Sequence, residues 1–380
     1  MTMELEVNGV QYNNFKAASC EIRLDALSNA FSFEAIVAEG DPLPFKGGES
    51  CRVIINNKPV LTGSIEIVDV SYDAGDHTIT VQGRDKTGDL LDSNISTIPD
   101  LRAPITLKQI IEKVIANIGV DIKVIEEVET EPFEEAQDVA APEPGDNAFN
   151  FIEKYSRKRQ VLLTSDGDGN IVITSGSSEQ VAGSIQHIIG AADNNVIASS
   201  FSFDTTGRFN IYKFVSQQNP FTLNSAGETG LASVVNQSGG VSDPDVRIGR
   251  QLVLVSETPY SNSQSEARAK WEANIRKARG LVYSVTVPGY TIDSSDKDTP
   301  LWQINRLYQI VDDYLGKSEP MLANSVTFTL DTDGGELTSM SFVDEKAYSV
   351  DLSKPKTSKT APLVLLSPEV AAIAALVFDP

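Results

Sequence analysis

Histidine and cysteine are nearly missing from this 380-residue chain, which holds two of each. Two histidines leave little room for general-base chemistry, and neither His77 nor His187 lies in an H-E-x-x-H or other metal- or nucleophile-bearing pattern. Each is expected to be a surface or hydrogen-bonded residue. Cys20 and Cys51 are too few for a disulfide scaffold and lack C-x-x-C spacing, so they are expected as small buried hydrophobes in neighbouring strands. No phosphate-cradling glycine loop occurs. Bases are scarce as well: 31 Lys and Arg stand against 53 Asp and Glu, a formal charge of −22. Such a surface does not grip nucleic-acid phosphates and tends to keep polyanions from sticking. Acidic pairs such as Asp312-Asp313 imply no glycosidase, because that chemistry needs carboxylates placed in space. No catalytic residue, metal site or cofactor site is expected.

Long apolar runs are also lacking, with one exception at 361–378, "APLVLLSPEVAAIAALVF". Ser367-Pro368-Glu369 puts a helix breaker and a charge in its middle, which argues against a membrane span. The expectation is an arm that docks on a partner through Leu363, Val364, Leu365, Leu366, Val377 and Phe378. Met1 to Val10 carries no basic segment followed by an apolar one, so folding in a cytoplasm is expected.

What is present is mostly strand. Residues 1–93 alternate apolar and polar residues between polar turns, including Asn56-Asn57-Lys58 and Asp73-Ala74-Gly75-Asp76. "PITLKQIIEKVIANIG" (104–119) changes to helical spacing, with Leu107, Ile110, Ile111, Val114, Ile115 and Ile118 on one face. Thr106 and Gln109 fit a capping box, and Gly119 fits the residue after the helix. An acidic, proline-punctuated stretch at 125–146 reads as a solvated loop. A helix with Asp146 as its N-cap follows, with Phe151, Ile152 and Tyr155 turned inward and Arg157-Lys158-Arg159 at its dipole's negative end.

The D-G-D-G-N core of "LTSDGDGNIVIT" (163–174) resembles a calcium loop, but Ile171 and Ser177 occupy the positions that need Gly and the closing Glu. With β-branched runs on both sides it reads as a hairpin turn. Residues 217–247, rich in Gly, Ser and Asn, read as a long surface loop. A helix is expected at about 263–279, its Arg268, Lys270, Arg276, Lys277 and Arg279 paired within the protein or across a subunit contact rather than to DNA. The fold class is therefore mainly β with an α+β insert. Two barrel-like antiparallel domains, 1–98 and 181–350, flank a small α+β domain at 99–180, and a linker and apolar arm follow at 351–380.

"VQGRDKTGDLLDSN" (81–94) resembles a segment of the central baseplate hub proteins of Mu-like contractile phage tails. "TLKQIIEKVIANIGV", "FNFIEKYSRKRQVLLTSDGDGNIVIT", "SQSEARAKWEANIRKARGLVYSVTVPGY", "LWQINRLYQIVDDYLG" and "MLANSVTFTLDTDGGELTSMSF" follow in the same order as in that family. The resemblance covers roughly residues 1–350, and its motif residues are Gly83, Arg84, Asp85, Asp89, Leu90 and Asp92. It extends to the hub region of type VI secretion spike proteins and to tailocin hubs. It implies a non-enzymatic homotrimer in the tail baseplate, assembled in the host cytoplasm. Two similar domains per chain would make a pseudo-sixfold ring between the hexameric tail tube and the trimeric central spike. Other baseplate proteins are implied partners, and DNA would pass through an acidic channel without specific binding. A tailocin or type VI-like hub is the near alternative. An all-β carbohydrate-binding module is the distant one, and an aromatic share of 7% does not favour it.

Overall fold

The computed structural model describes residues 3–36, 45–72, 77–97, 100–134, 139–176, 179–217, 221–223, 229–231, 236–256 and 262–348. The arm residues Leu363 to Leu366, Val377 and Phe378, and the turn at 73–76, lie outside them.

Seven strands come first: β1 (Met3–Val7), β2 (Val10–Tyr12), β3 (Ala17–Arg23), β4 (Ala30–Ile36), β5 (Ser50–Ile55), β6 (Lys58–Tyr72) and β7 (His77–Asp85). The middle holds α1 (Gly88–Asp92), α2 (Leu107–Ile118), β8 (Val124–Glu126), α3 (Ala148–Arg159), β9 (Leu162–Ser165) and β10 (Ile171–Thr174). Then come β11 (Gln180–His187), β12 (Ala198–Phe203), β13 (Ile211–Gln217), β14 (Phe221–Leu223), β15 (Thr229–Leu231), β16 (Asn236–Ser242) and β17 (Gln251–Ser256). Last are α4 (Asn262–Gly280), β18 (Leu281–Pro288), β19 (Leu307–Asp312), β20 (Lys317–Asp331) and β21 (Gly335–Asp344).

The protein is mainly β, and its strand-rich regions are joined. One 13-stranded sheet runs β12-β18-β21-β20-β3-β4-β7-β6-β5-β1-β2, with β19 on β20 and β11 on β19. The seam is the antiparallel pair β3·β20, which sets Cys20 opposite Phe328. The two barrel-like domains expected from the alternation are thus two halves of a single sheet, and among the described residues no pairing closes either half into a barrel. The core-facing residues of both halves belong to one apolar cluster, including Phe33, Ile65, Val81, Tyr308, Phe328 and Phe342.

The halves repeat one another. In the first, the strands in chain order β1, β3, β4, β5, β6, β7 lie in space as β1-β5-β6-β7-β4-β3. In the second, β11, β12, β18, β19, β20, β21 lie as β11-β19-β20-β21-β18-β12, the same permutation. β6 and β20 both have 15 residues. Each is bulged at the corresponding place, between Ile65 and Ile67 in one and Ala323 and Ser325 in the other. The residue before the bulge accepts an equivalent bond in each half, from Gly48 N–H to Ile65 O (2.7 Å) and from Asn305 N–H to Ala323 O (2.9 Å). Both donors have left-handed backbones, at φ 85° and 55°. One difference is direction: β1 is antiparallel to β5, whereas β11 is parallel to β19.

Between the halves, α2 and α3 pack with α1 and the three-stranded sheet β8-β10-β9 around Leu90, Phe133, Ile152 and Ile171. The Thr106–Gln109 capping box forms, and Gly119 (φ 81°) ends α2. The N-cap of α3 is Asn147, which accepts from Asn150 N–H at 3.0 Å, and not Asp146. Asp146 instead accepts from Glu143 N–H at 2.9 Å and closes the preceding loop.

A third layer sits between β12 and β18 in the chain. β13 pairs antiparallel with β16 and parallel with β17, and α4 packs on the sheet through Ala269 and Ala273 against Tyr212 and Phe214. The stretch 217–247, read above as a surface loop, therefore contains β14, β15 and β16. The sequence Asn236–Ser242 (NQSGGVS) shows no apolar alternation, so its strand is set by pairing with β13 rather than by its own pattern.

Candidate functional site

The Gly-Arg-Asp end of β7 is where the first half meets the middle module. Gly83 is required there: a Cβ would lie 2.1 Å from Ser64 O and 2.6 Å from the Phe31 ring. Arg84 pairs with Glu66 of β6 (2.7 Å) and with the motif acid Asp92, so two acids hold one base. Asp85 is buried and accepts from Ser28 Oγ (2.9 Å), Asn29 N–H (2.9 Å), Thr87 N–H (3.2 Å), Thr87 Oγ1 (2.6 Å) and Ser165 Oγ. Burial raises its carboxyl above the ordinary value, and these donors oppose the rise. Three segments, the β3–β4 turn, the start of α1 and β9, thus converge on one carboxylate. Leu90 is fully buried in the middle module's core, whereas Asp89 is raised mainly by burial, with Glu66 close by.

The D-G-D-G-N segment is a turn between β9 and β10. Asp166 accepts from the N–H groups of Asp168 (3.0 Å) and Asn170 (2.8 Å), which closes the turn on itself. Its glycines also fit it against the first half. A Cβ on Gly167 would meet Pro59 O at 2.5 Å and one on Gly169 would meet Thr62 O at 2.6 Å. Thr62 Oγ1 donates to Gly167 O at 2.7 Å. The segment is a wedge seated on β6, a role that its calcium-like spelling does not disclose.

The basic clusters are engaged internally. Arg159 lies 3.9 Å over the Phe133 ring and donates to Pro132 O (2.6 Å), Lys158 lies 5.7 Å from the same ring, and Arg157 pairs with Glu153. The helix end therefore fastens part of the acidic stretch, whose Phe133 is buried and whose Glu126, Glu127, Glu129 and Glu131 face solvent. On α4, Arg268 (3.1 Å) and Arg276 (2.7 Å) share Glu272, and Lys277 reaches Asp245 at 3.4 Å. Arg208, fully buried, pairs with Asp243 at 2.8 Å.

One constellation has the composition of a hydrolase triad. His187, Ser199 and Asp312 come together, but Ser199 Oγ (2.9 Å) and Asp312 Oδ2 (3.0 Å) both contact His187 Nδ1. A relay needs the nucleophile and the orienting acid on different ring nitrogens. Asp312 is tied further by Tyr283 OH (2.6 Å) and Leu315 N–H (2.9 Å). Burial alone would raise its carboxyl, yet these donors and His187 hold it below the ordinary value. The group fastens the β11·β19 end of the second half. His77 stacks beside Tyr72 with ring centroids 6.3 Å apart.

Cys20 and Cys51 are buried and free, on β3 and β5. They are not on neighbouring strands, because β4, β7 and β6 lie between. Burial raises both thiols, Cys51 to about 12.

The sheet face opposite the core is short-chained across several strands. One row reads Ser200, Ser284, Ser341, Ser325, and the next Ala198, Thr286, Ser339, Thr327. Towards the first half the rows continue through Arg23 and Glu21 on β3. Arg23 there pairs with Asp25 at 2.9 Å and Glu21 at 3.4 Å, and at the margin Lys16 pairs with Glu34 at 3.0 Å.

This architecture, a duplicated wall with a small α+β module between its halves, is shared with a solved prophage tail protein. Residues 2–85 match the N-terminal family of Mu phage baseplate assembly protein GpP-like, and residues 87–175 match the second domain of baseplate hub protein gp44-like. The chain is thus similar to the gp44-like baseplate hub proteins of Mu phage. Baseplate hub protein gp44 of Escherichia phage Mu is 24% identical over 366 residues, 94% of this chain and 92% of that protein. The 43 kDa tail protein of prophage MuSo2 from Shewanella oneidensis is 28% identical, with a TM-score of 0.74 over 92% of this chain and all (100%) of that one. A type VI secretion component of E. coli, described as similar to T4 tail proteins gp27 and gp5, shares the fold at 10% identity. Its TM-score is 0.53 over 91% of this chain and 77% of that one. No helix among the described residues is long and apolar enough to cross a membrane.

Proposed function

We propose that this chain is the structural hub of a contractile-tail baseplate. It would form a homotrimeric ring that joins the hexameric tail tube to the trimeric central spike and leaves a channel for DNA. The observation that carries this reading is the resemblance to phage Mu gp44 along 94% of the chain. The internal duplication supports it, since three copies of a twice-repeated wall present six similar elements to a sixfold tube. The two halves of the sheet, within 1–98 and 181–350, would be those elements, with the α+β domain at 99–180 outside them. In this reading the role is structural, as the resemblance to a baseplate hub protein implies.

In this reading the short hydroxyl face and the paired bases favour passage of DNA over capture, because phosphates find water and carboxylates there. The apolar arm would dock on a neighbouring subunit or the spike. Neutralising channel-facing acids should slow genome ejection, and unchanged ejection would refute the channel's electrostatic role.

The direct test is mass in solution by light scattering behind a sizing column. Three chains of 41.0 kDa make about 123 kDa. A trimer that binds tube and spike proteins is expected, and a chain that binds neither overturns the proposal. Truncation at Ser353 should keep the ring and lose a partner. Full partner binding by the truncated chain would remove the arm from the reading.

A further inference from the structure

Among the described residues, the duplication leaves two strand edges without the partner that their equivalents have, and the seam inside the chain offers a template for what fits them. In the second half, β20 past its bulge has two neighbours, β21 on one side and β3 on the other. In the first half, β6 past its bulge has β7 on one side and, among the described residues, no strand on the other. Conversely β3, the second strand of the first repeat, is covered by β20. Its counterpart β12, the second strand of the second repeat, pairs among the described residues with β18 alone. Among those residues, each edge lacks the partner that its equivalent has.

The side chains on these edges support the comparison. Aligning the bulges makes Val68, Val70 and Tyr72 the counterparts of Val326, Phe328 and Leu330. Following the register through β4 and β18 makes Phe201 and Phe203 the counterparts of Cys20 and Ile22. Inside the seam, Phe328 and Cys20 are 1% and 0% exposed. On the open edges, Val70 and Tyr72 are 42% and 74% exposed, and Phe201 and Phe203 are 38% and 59% exposed. Apolar side chains at sheet edges that are bare in one copy and buried in the equivalent position mark an interface.

We propose that β12 of one copy of this chain pairs antiparallel with residues 67–72 of β6 in the next copy. The register is that of the β3·β20 seam. Val70 then lies opposite Phe201 of the next copy, Val68 opposite its Phe203, and Ser71 opposite its Ser200. The contact is head-to-tail, so it generates either a closed ring or a filament. It rests on the hub reading for the number of copies in that ring, and on the duplication alone for which edges meet.

Disulfide trapping with Ser71→Cys/Ser200→Cys tests the register, since both native cysteines are buried. Oxidation of the assembled protein should give covalent dimers and trimers on a denaturing gel, at least tenfold more than Ser71→Cys/Ser202→Cys gives. An assembly of about 123 kDa that forms no such link, three times 41.0 kDa, would overturn the edge assignment while leaving the hub reading intact. A chain that stays monomeric at assembly concentrations would overturn both. Phe201→Asp, at a position exposed in the single chain, should leave the melting temperature of the isolated subunit unchanged and abolish assembly. Full assembly by that variant would also overturn the proposal.

Discussion

The two halves of the large sheet share a strand permutation, a bulge and a left-handed residue beside it, yet they fill corresponding positions differently. Gly83 of β7 and Phe342 of β21 are equivalent, both lying opposite the residue before the bulge. In the first half the space above the glycine is taken by the Phe31 ring, 2.6 Å from where a Cβ would sit. In the second, Phe342 fills it and meets Tyr308 at 5.7 Å between ring centroids. Insertions differ too: residues 24–29 link β3 to β4, whereas 204–280 link β12 to β18 and carry a separate sheet and helix. The backbone pairing is what the halves hold in common, and the volume is supplied from either side of it.

That contrast can be broken at its weakest points. Phe342→Ala should have the largest effect, a loss of about 3–5 kcal/mol in denaturant unfolding, because it empties a fully buried ring site. Asp85→Ala should cost about 3 kcal/mol by leaving buried donors of three segments without an acceptor. Its early signature should be faster amide exchange in β9 and α1, and protection equal to the parent would count against the junction role. Gly83→Ala should cost about 1–3 kcal/mol through overpacking, so the same repeat position is damaged by addition in one half and by removal in the other. Gly167→Ala should cost less, about 1 kcal/mol, as the wedge shifts off Pro59 O.

The smallest expected effect is in pH dependence. Asp312 has a folded pKa below its ordinary value of 3.8, so its contribution is present above that value and is lost as pH falls through the folded pKa. Asp85 is shifted the other way, so its ionisation in the folded state costs stability as pH rises through its raised pKa. Melting curves of Asp312→Asn should lose part of the acid-side decline. An identical acid limb in parent and variant would show that the cluster is not coupled to folding.

Much of the local structure was legible because its causes are local. Two-residue alternation marks β1 to β7, the Thr106–Gln109 spacing marks the start of α2, and Asp-Gly pairs between β-branched runs mark the 166–170 turn. The position of the α3 cap was off by one residue, since Asp146 and Asn147 both accept backbone hydrogens and only the loop decides between them. The seam was not legible: nothing near Cys20 announces Phe328 as its neighbour, because register across some three hundred residues is a tertiary fact. Nor was the repeat visible residue by residue, since equivalent residues such as Gly83 and Phe342, or Cys20 and Phe201, differ widely in size. The motif Gly83-Arg84-Asp85 stood out in the sequence, but that Asp85 gathers Ser28, Asn29, Thr87 and Ser165 required the fold.

The β3·β20 seam lies within one polypeptide, which bears on how a ring of such chains begins. A junction made between two halves of one molecule forms at a rate and to an extent that dilution does not alter. In a closed ring alternating this seam with its intermolecular counterpart, every second joint exists before any two chains collide. In the trimeric ring proposed above, nucleation would be a meeting of three bodies instead of six, and the critical concentration for assembly would answer to the β12 and β6 edges alone.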